Sequence, residues 1–483
     1  MIVDIIKKEI LDNLLSHKFL FIFILCLTLI LFSVYIGASD YIESKREHDA
    51  NESALRDRMQ PPETISFFTE YEGYRIYRPP QVLRTVVAGV EDAAGRLSYP
   101  NQLSENNLME SRHERNTIFS LFGSLDLMFA VKFILSLCAL FLTYEVISAE
   151  KEKGTLKLAL SNSVSRNQLI SGKIIGNYVS MLLLFLTPLL MSLIVLLLFP
   201  GIALTSEDWL RLVLIFAMFL LYISVFFALG IFISALTARA STSFLVLLFI
   251  WIALVIVIPG ASVVVAELIR PIPSSNLIEE EKALFWRGTN QAVYEEYSRK
   301  INEVMPKIRQ RQAELQPLSK EDPARYQEEM QKAQEEFSKL EEWRLQENTD
   351  RVIANNILLE RDFQLKKDAQ QKLARNISRI SPASALTFGA TTIARTGTDE
   401  YERFLAATRT YRTIYRKWMS ALASTSNVPL DNNIISSIPQ LPFVPERPVE
   451  LLARTLPDFA LMAAMTILLL TGAFFAFLRY DVR

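Results

Sequence analysis

The residues of this chain that could do chemistry are few, and most of them fall in one charged stretch, Ser148 to Lys173. Glu150 and Glu152 come first, then Gly154, Thr155, Leu156, Leu158 and Leu160. Lys151, Lys153, Lys157, Arg166 and Lys173 make the stretch strongly basic. Gly172-Lys173 is its nearest approach to a phosphate loop. Ile174 follows that lysine, where a metal-binding hydroxyl is needed, and Asn167 stands where the loop's first glycine belongs. Without a glycine-rich nest of backbone amides, ATP binding by this chain is not expected. The three histidines, His17, His48 and His113, lie far apart and none has metal-ligand spacing. There is no His-Glu-x-x-His motif, and no Ser–His pair within an apolar run. No residue is therefore a candidate for catalysis, cofactor binding or metal ligation. The other chemistry-bearing positions are Asp126, Lys132 and Glu145, charges set inside an apolar run.

The elements that must position these residues are membrane spans. Leu121–Ile147 and Ile174–Leu198 flank the charged stretch, and each is long enough to cross roughly 30 Å of hydrocarbon. A short connection this rich in Lys and Arg stays on the cytoplasmic side. A charge within hydrocarbon costs roughly 2.5–3.5 kcal/mol, so Asp126 and Lys132 should face a partner or a water-filled path. Neither Asp126 nor Glu145 has good helical spacing to Lys132. Two readings of Lys132 stay open: a counter-charge from another helix or subunit, or snorkelling towards the outer headgroups.

The pattern Glu150-x-Glu152-x-Gly154-Thr155-Leu156, then Ser161-x-x-Val164-Ser165-Arg166, then Leu169 and Gly172-Lys173, resembles the cytoplasmic loop of type-2 ABC exporter permeases, the ABC-2 family of transmembrane subunits. The likeness extends through topology to the whole chain. One departure is visible: the family has Pro before Val-Ser-Arg, and here Ser163 stands there. The resemblance implies that residues 148–173 carry a coupling helix seated on a separate ABC ATPase. Glu150 and Glu152 would then meet basic residues of that partner, and Leu156, Leu158 and Leu160 would fill its groove. Gly154, Thr155, Arg166 and Lys173 complete the matched motif. ATP would bind only on the partner subunit. A second permease subunit, identical or a sister, would complete the pathway in a bacterial cytoplasmic (inner) membrane.

Composition agrees with a membrane protein carrying soluble parts. The chain has 483 residues, 51% apolar and 21% charged, and the two classes are segregated along it. A net charge of −1 argues against a nucleic-acid partner. Cys26 and Cys138 both fall in apolar runs, so no disulfide framework serves the water-exposed parts.

The expected fold class is mainly α, a six-span helical bundle with two extracytoplasmic segments. Residues 1–18 form an amphipathic helix in the membrane plane, with Val3, Ile6, Ile10 and Leu14 on one face and Lys7, Lys8, Asp12 and Asn13 mainly on the other. The spans are 19–38, 121–147, 174–198, 209–236, 242–269 and 457–478. The fifth either continues past Pro259-Gly260 or turns back there as a re-entrant piece. Residues 39–117 form a first extracytoplasmic segment. Tyr71, Tyr74, Arg75, Tyr77 and Arg78 in it read as half-buried sheet. Residues 270–454 form a second, larger one. In it Ile278–Gln316 and Asp322–Ile380 read as an antiparallel helical hairpin, starting its second arm near Ser319–Asp322; Ile380–Leu386 ends the helices, and Gly397–Phe404 opens another that runs to about Leu422. Asn427–Arg447 reads as extended. Basic residues before the first span and after the last place both termini in the cytoplasm. Two function classes follow. One is an ATP-driven permease in contact with membrane lipids and with a possible extracytoplasmic protein partner. The other is a membrane-anchored structural or signalling protein whose helical domain binds a partner, with a basic loop that only fixes orientation.

Overall fold

The computed structural model describes residues 2–58, 75–91, 93–98, 125–161, 165–316, 323–422 and 437–480. The apolar runs are helical, since a backbone out of reach of water must bond within its own segment. In chain order the principal helices begin with α1 (Ile2–Leu14), α2 (His17–Arg58), α3 (127–143), α4 (Ser148–Lys153), α5 (Thr155–Ser161) and α6 (Arg166–Leu198). They continue with α7 (Ser206–Leu236), α8 (Ala240–Ile269), α9 (Ser275–Leu315), α10 (Pro323–Ser378), α11 (Pro382–Ala394), α12 (Thr398–Leu422) and α13 (Pro448–Leu478). Six stretches, on α2, α3–α4, α6, α7, α8 and α13, are long and apolar enough to cross a membrane. Contacts divide the chain into two units, Met1–Gly260 with Ser378–Arg483, and Ala261–Ile377.

The first unit is a bundle around α7. That helix is buried along much of its length, through Met218, Phe219, Tyr222, Ile223, Phe226, Phe227 and Ile231. Outward-facing apolar side chains such as Phe21, Phe32, Ile194, Val213, Phe249 and Leu468 stay exposed, as a lipid-facing belt requires. The free thiols Cys26 and Cys138 are buried in the bundle.

Two spans contain a widened turn with π-type bonding, 130–135 in α3 and Ala253–Val257 in α8. Such turns leave carbonyls outside the regular ladder, and here side chains take them up. The Lys132 carbonyl accepts from Tyr222 Oη at 2.8 Å and Ser136 Oγ at 2.7 Å, and Trp251 Nε1 donates to Ser136 Oγ at 2.9 Å. The Leu254 carbonyl accepts from Ser381 Oγ. α8 then runs on to Ile269, so no re-entrant piece forms. Pro259 lacks an N–H, but it falls just after the widened turn, where the ladder is already interrupted.

α10 ends at Ser378, and residues 381–386 then start a further helix, α11. Ser381 Oγ accepts from the N–H groups of Ala383 (3.1 Å) and Ser384 (3.4 Å), and Pro382 occupies the first turn. Most of α11 is buried against α7 and α13. The described residues of 378–454 therefore belong with the bundle and not with the long hairpin.

In the first loop segment the strands are short: Ile76–Tyr77 pairs antiparallel with Leu97–Ser98. Val82–Thr85 is a 3-10 turn. Tyr71 and Tyr74 lie outside the described residues. Arg78, Arg84 and Arg96 surround the buried Glu91 carboxylate at 3.7, 3.5 and 3.7 Å. On α12, burial holds the Glu400 carboxyl above its usual range, against the opposing pull of Arg403, Arg395 and Arg78.

The second unit is the helical hairpin of α9 and α10. Val293, Tyr297 and Ile308 are buried along α9, while Phe337, Leu340 and Trp343 half-bury along α10. Cross-links fix the antiparallel register. Gln370 donates to the Arg270 carbonyl (2.7 Å), Arg351 lies 3.6 Å from Glu296, and Tyr297 Oη donates to Glu341. Ser319–Asp322, expected to start the second arm, lies outside the described residues.

Candidate functional site

The candidate site is the charged hairpin of α4 and α5. α3 ends in a turn at residues 144–147 that a hydroxyl of another helix braces: Ser234 Oγ on α7 accepts from the N–H groups of Ile147 and Ser148, both at 3.0 Å. α4 runs to Lys153 and stops at Gly154, whose φ of +71° lies in the left-handed region. No atom stands within 4 Å of a Cβ built there, so backbone conformation, not space, demands glycine. α5 follows, then residues 162–164, which lie outside the described residues and include Ser163 and Val164. Ser165 caps α6, its hydroxyl accepting from Gln168 N at 3.4 Å.

Helix ends expose unpaired backbone groups, donors at the start and acceptors at the finish. The hairpin's charged side chains match these ends by sign. Lys151 Nζ donates to the carbonyls of Ala235 and, at 3.2 Å, Thr237, at the end of α7. Glu152 Oε2 accepts from Ala240 N at 3.0 Å, at the start of α8. Arg166 Nη1 donates to the carbonyls of Leu478 (2.9 Å) and Tyr480 (3.0 Å), at the end of α13.

The fourth attachment is buried. Lys173 is only 4% exposed, and its Nζ lies 2.7 Å from Glu150 Oε1 and 2.8 Å from Glu9 Oε1. Asn177 Nδ2 donates to Glu9 Oε2 at 3.0 Å, and Asn13 Nδ2 donates to Asn177 Oδ1 at 2.9 Å. α1 reaches this cluster because α6 presents Gly172 and Gly176 to it. A Cβ on either would stand 2.7 Å from Ile5 Cγ2 or from Glu9 Cβ. α1 therefore turns Ile2, Ile5, Ile6, Glu9 and Asn13 inward and leaves Val3, Leu11 and Leu14 exposed.

The structure places the sequence-derived site residues as follows. Glu150 and Glu152, expected to meet a partner's cations, are engaged within the chain. Leu156, expected in a partner's groove, is 1% exposed and packs in the bundle's own core. Leu158 is 69% exposed. The side chain of Leu160 lies outside the described residues. Leu156 and Leu158 are two apart on a helix, about 200° around the axis, so one inside puts the other outside. Thr155 is exposed, its Oγ1 bonding the Glu150 carbonyl at 3.4 Å. Lys153, Lys157 and Ser161 are exposed on the same short segment.

The three intramembrane charges do not form one group. Asp126 is the buried N-cap of α3, accepting from Phe129 N and Ala88 N at 2.8 Å each. Lys132 is half-buried, its Nζ 4.9 Å from the centre of the Phe133 ring. Glu145 pairs with Lys18 at 2.7 Å, and that ammonium sits 4.4 Å from the centre of the Tyr144 ring. Sequence reasoning missed Glu9, Lys18 and Asn177 as partners. The small-residue spacing Gly172, Gly176, Ser180 was the available signal for a helix packed close against α6.

Compared with known families, residues 3–482 match the model of the ABC-2 family transporter proteins. A search of curated proteins returns no match.

Proposed function

The chain belongs to the ABC-2 family of transporter proteins, which makes it a multi-pass membrane permease of an ABC transporter, and from that premise we propose that it is an exporter subunit driven by a separate ATPase docking on residues 148–173. One observation carries the reading. Every buried or helix-directed charge of the hairpin is fastened to the bundle, by Lys151, Glu152, Arg166 and the Glu150–Lys173–Glu9 cluster. What remains outward is a compact face of Lys153, Thr155, Lys157 and Leu158. A push on that face reaches α1, α6, α7, α8 and α13 together, because each is bonded to the hairpin. ATP hydrolysis belongs to the partner. The hairpin side is assigned to the cytoplasm by its Lys and Arg content. Residues 270–454 follow the fifth span and belong on the opposite side, where a protein partner would bind. A second permease subunit completes the pathway.

The test is co-purification with the ATPase. Lys157→Glu and Leu158→Glu, made together, change only exposed positions and should leave folding intact while abolishing complex formation and transport. A double variant that assembles and transports normally would refute docking on this face.

A further inference from the structure

A second feature lies at the hairpin's membrane edge. A cleft of about 420 Å³ opens between the ends of α7 and α13. Phe232, Leu236 and Phe475 form apolar walls, and Lys151, Arg479 and Tyr480 lie at the polar end. Leu236 and Phe475 are each 57% exposed on the surface that faces lipid.

Lys151 is the informative residue. The hairpin's other inward-reaching lysine, Lys173, meets two carboxylates, and nearby Lys18 meets one. Lys151 has only backbone carbonyls and the face of Tyr480, 4.7 Å from its ring centre. Among the described residues no carboxylate pairs with it. A half-buried ammonium that no described carboxylate pairs with, lining a cleft that is apolar on the bilayer side and cationic on the water side, matches an amphiphile with a negatively charged head.

We propose that this cleft binds an anionic glycerophospholipid, its phosphate against Lys151 and Arg479 and an acyl chain along Phe232 and Phe475. Basic pockets between spanning helices at the cytoplasmic surface are suited to such headgroups. The site requires only that the bundle spans a bilayer, and it stands whether or not an ATPase docks on the hairpin.

The test uses the full-length protein purified in a neutral detergent and titrated with phosphatidylglycerol or phosphatidylcholine. Retained lipid is read by native mass spectrometry and stabilisation by thermal shift. The wild type should retain phosphatidylglycerol preferentially. Arg479→Gln, at an exposed helix end, should bind it about fivefold more weakly, and adding Lys151→Met should multiply the loss by a similar factor. Gly472→Leu, which pushes bulk towards Phe232, should reduce retention with both charges intact. Inorganic phosphate alone should give no shift. Equal retention of the two lipids, or full phosphatidylglycerol preference in the double variant, would overturn the site. So would a shift reproduced by phosphate alone, which would mark a simple anion site. A dimer that Gly472→Leu disrupts without altering lipid retention would assign the cleft to a second copy of the chain and also overturn it.

Discussion

Replacing Lys173 with Met tests the buried cluster that ties α1 and the hairpin to α6. The substitution keeps length and apolar volume but removes the ammonium. Glu9 and Glu150 then face each other across a site where Lys173 was 4% exposed. Breaking a buried ion pair from one side costs about 3–5 kcal/mol, because an uncompensated charge stays behind. The Glu150 side chain is 30% exposed, which places the cost at the lower end of that range. For a unit of this size each kcal/mol moves the unfolding midpoint by about 1–2 °C, so a drop of several degrees is expected. Glu9→Gln or Glu150→Gln alone should cost less, since Lys173 keeps one carboxylate. The triple variant, with all three neutral, should recover to within about 1 kcal/mol of wild type, as buried ion pairs often do when replaced whole. Thermal unfolding of the detergent-solubilised protein measures all four variants. A Lys173→Met protein as stable as wild type, or a triple variant worse than the single, would refute the view that these charges compensate one another.

Further outcomes follow from other contacts. Gly172→Leu should displace α1 by overpacking against Ile5, costing about 1–3 kcal/mol and opening α1 to proteolysis; unchanged cleavage would count against the close approach. Asp126→Ala removes an N-cap and an acceptor for Ala88 N, and should lower stability by about 1–2 kcal/mol in thermal unfolding, with Asp126→Asn closer to wild type. Glu400 has a raised folded pKa, so the folded state binds its proton more tightly than the unfolded chain, and stability falls as pH rises from about the unfolded value of 4.5 towards the folded one. Glu400→Gln should flatten that slope in Tm measured across the acidic range; a pH-independent difference between the two proteins would refute it.

The spans and the long helical hairpin were legible because their signals are local: apolar length for the one, helical spacing of apolar residues for the other. The charged turn was legible as a motif, but its wiring was not. Lys173 finds Glu9 across 164 residues of chain, and no spacing rule relates the two. Glu145 was paired with nothing on its own helix, and its partner Lys18 arrives from α2. α11 was missed because it is shorter than a span and opens at Ser381-Pro382, which resembles a stop when read without its surroundings. The alternation of Leu156 with Leu158 suggests a row of exposed teeth, but a helix cannot present residues two apart on one face, and Leu156 is turned inward.

The two widened turns in α3 and α8 have lent their loose carbonyls to hydroxyls on other elements, Tyr222 of α7 and Ser381 at the head of α11. Neither span can slide back into an unbroken ladder without letting go of its borrower. Any change of pitch in one is thus posted at once to the middle of the bundle, so these helices re-register in concert or stay where they are.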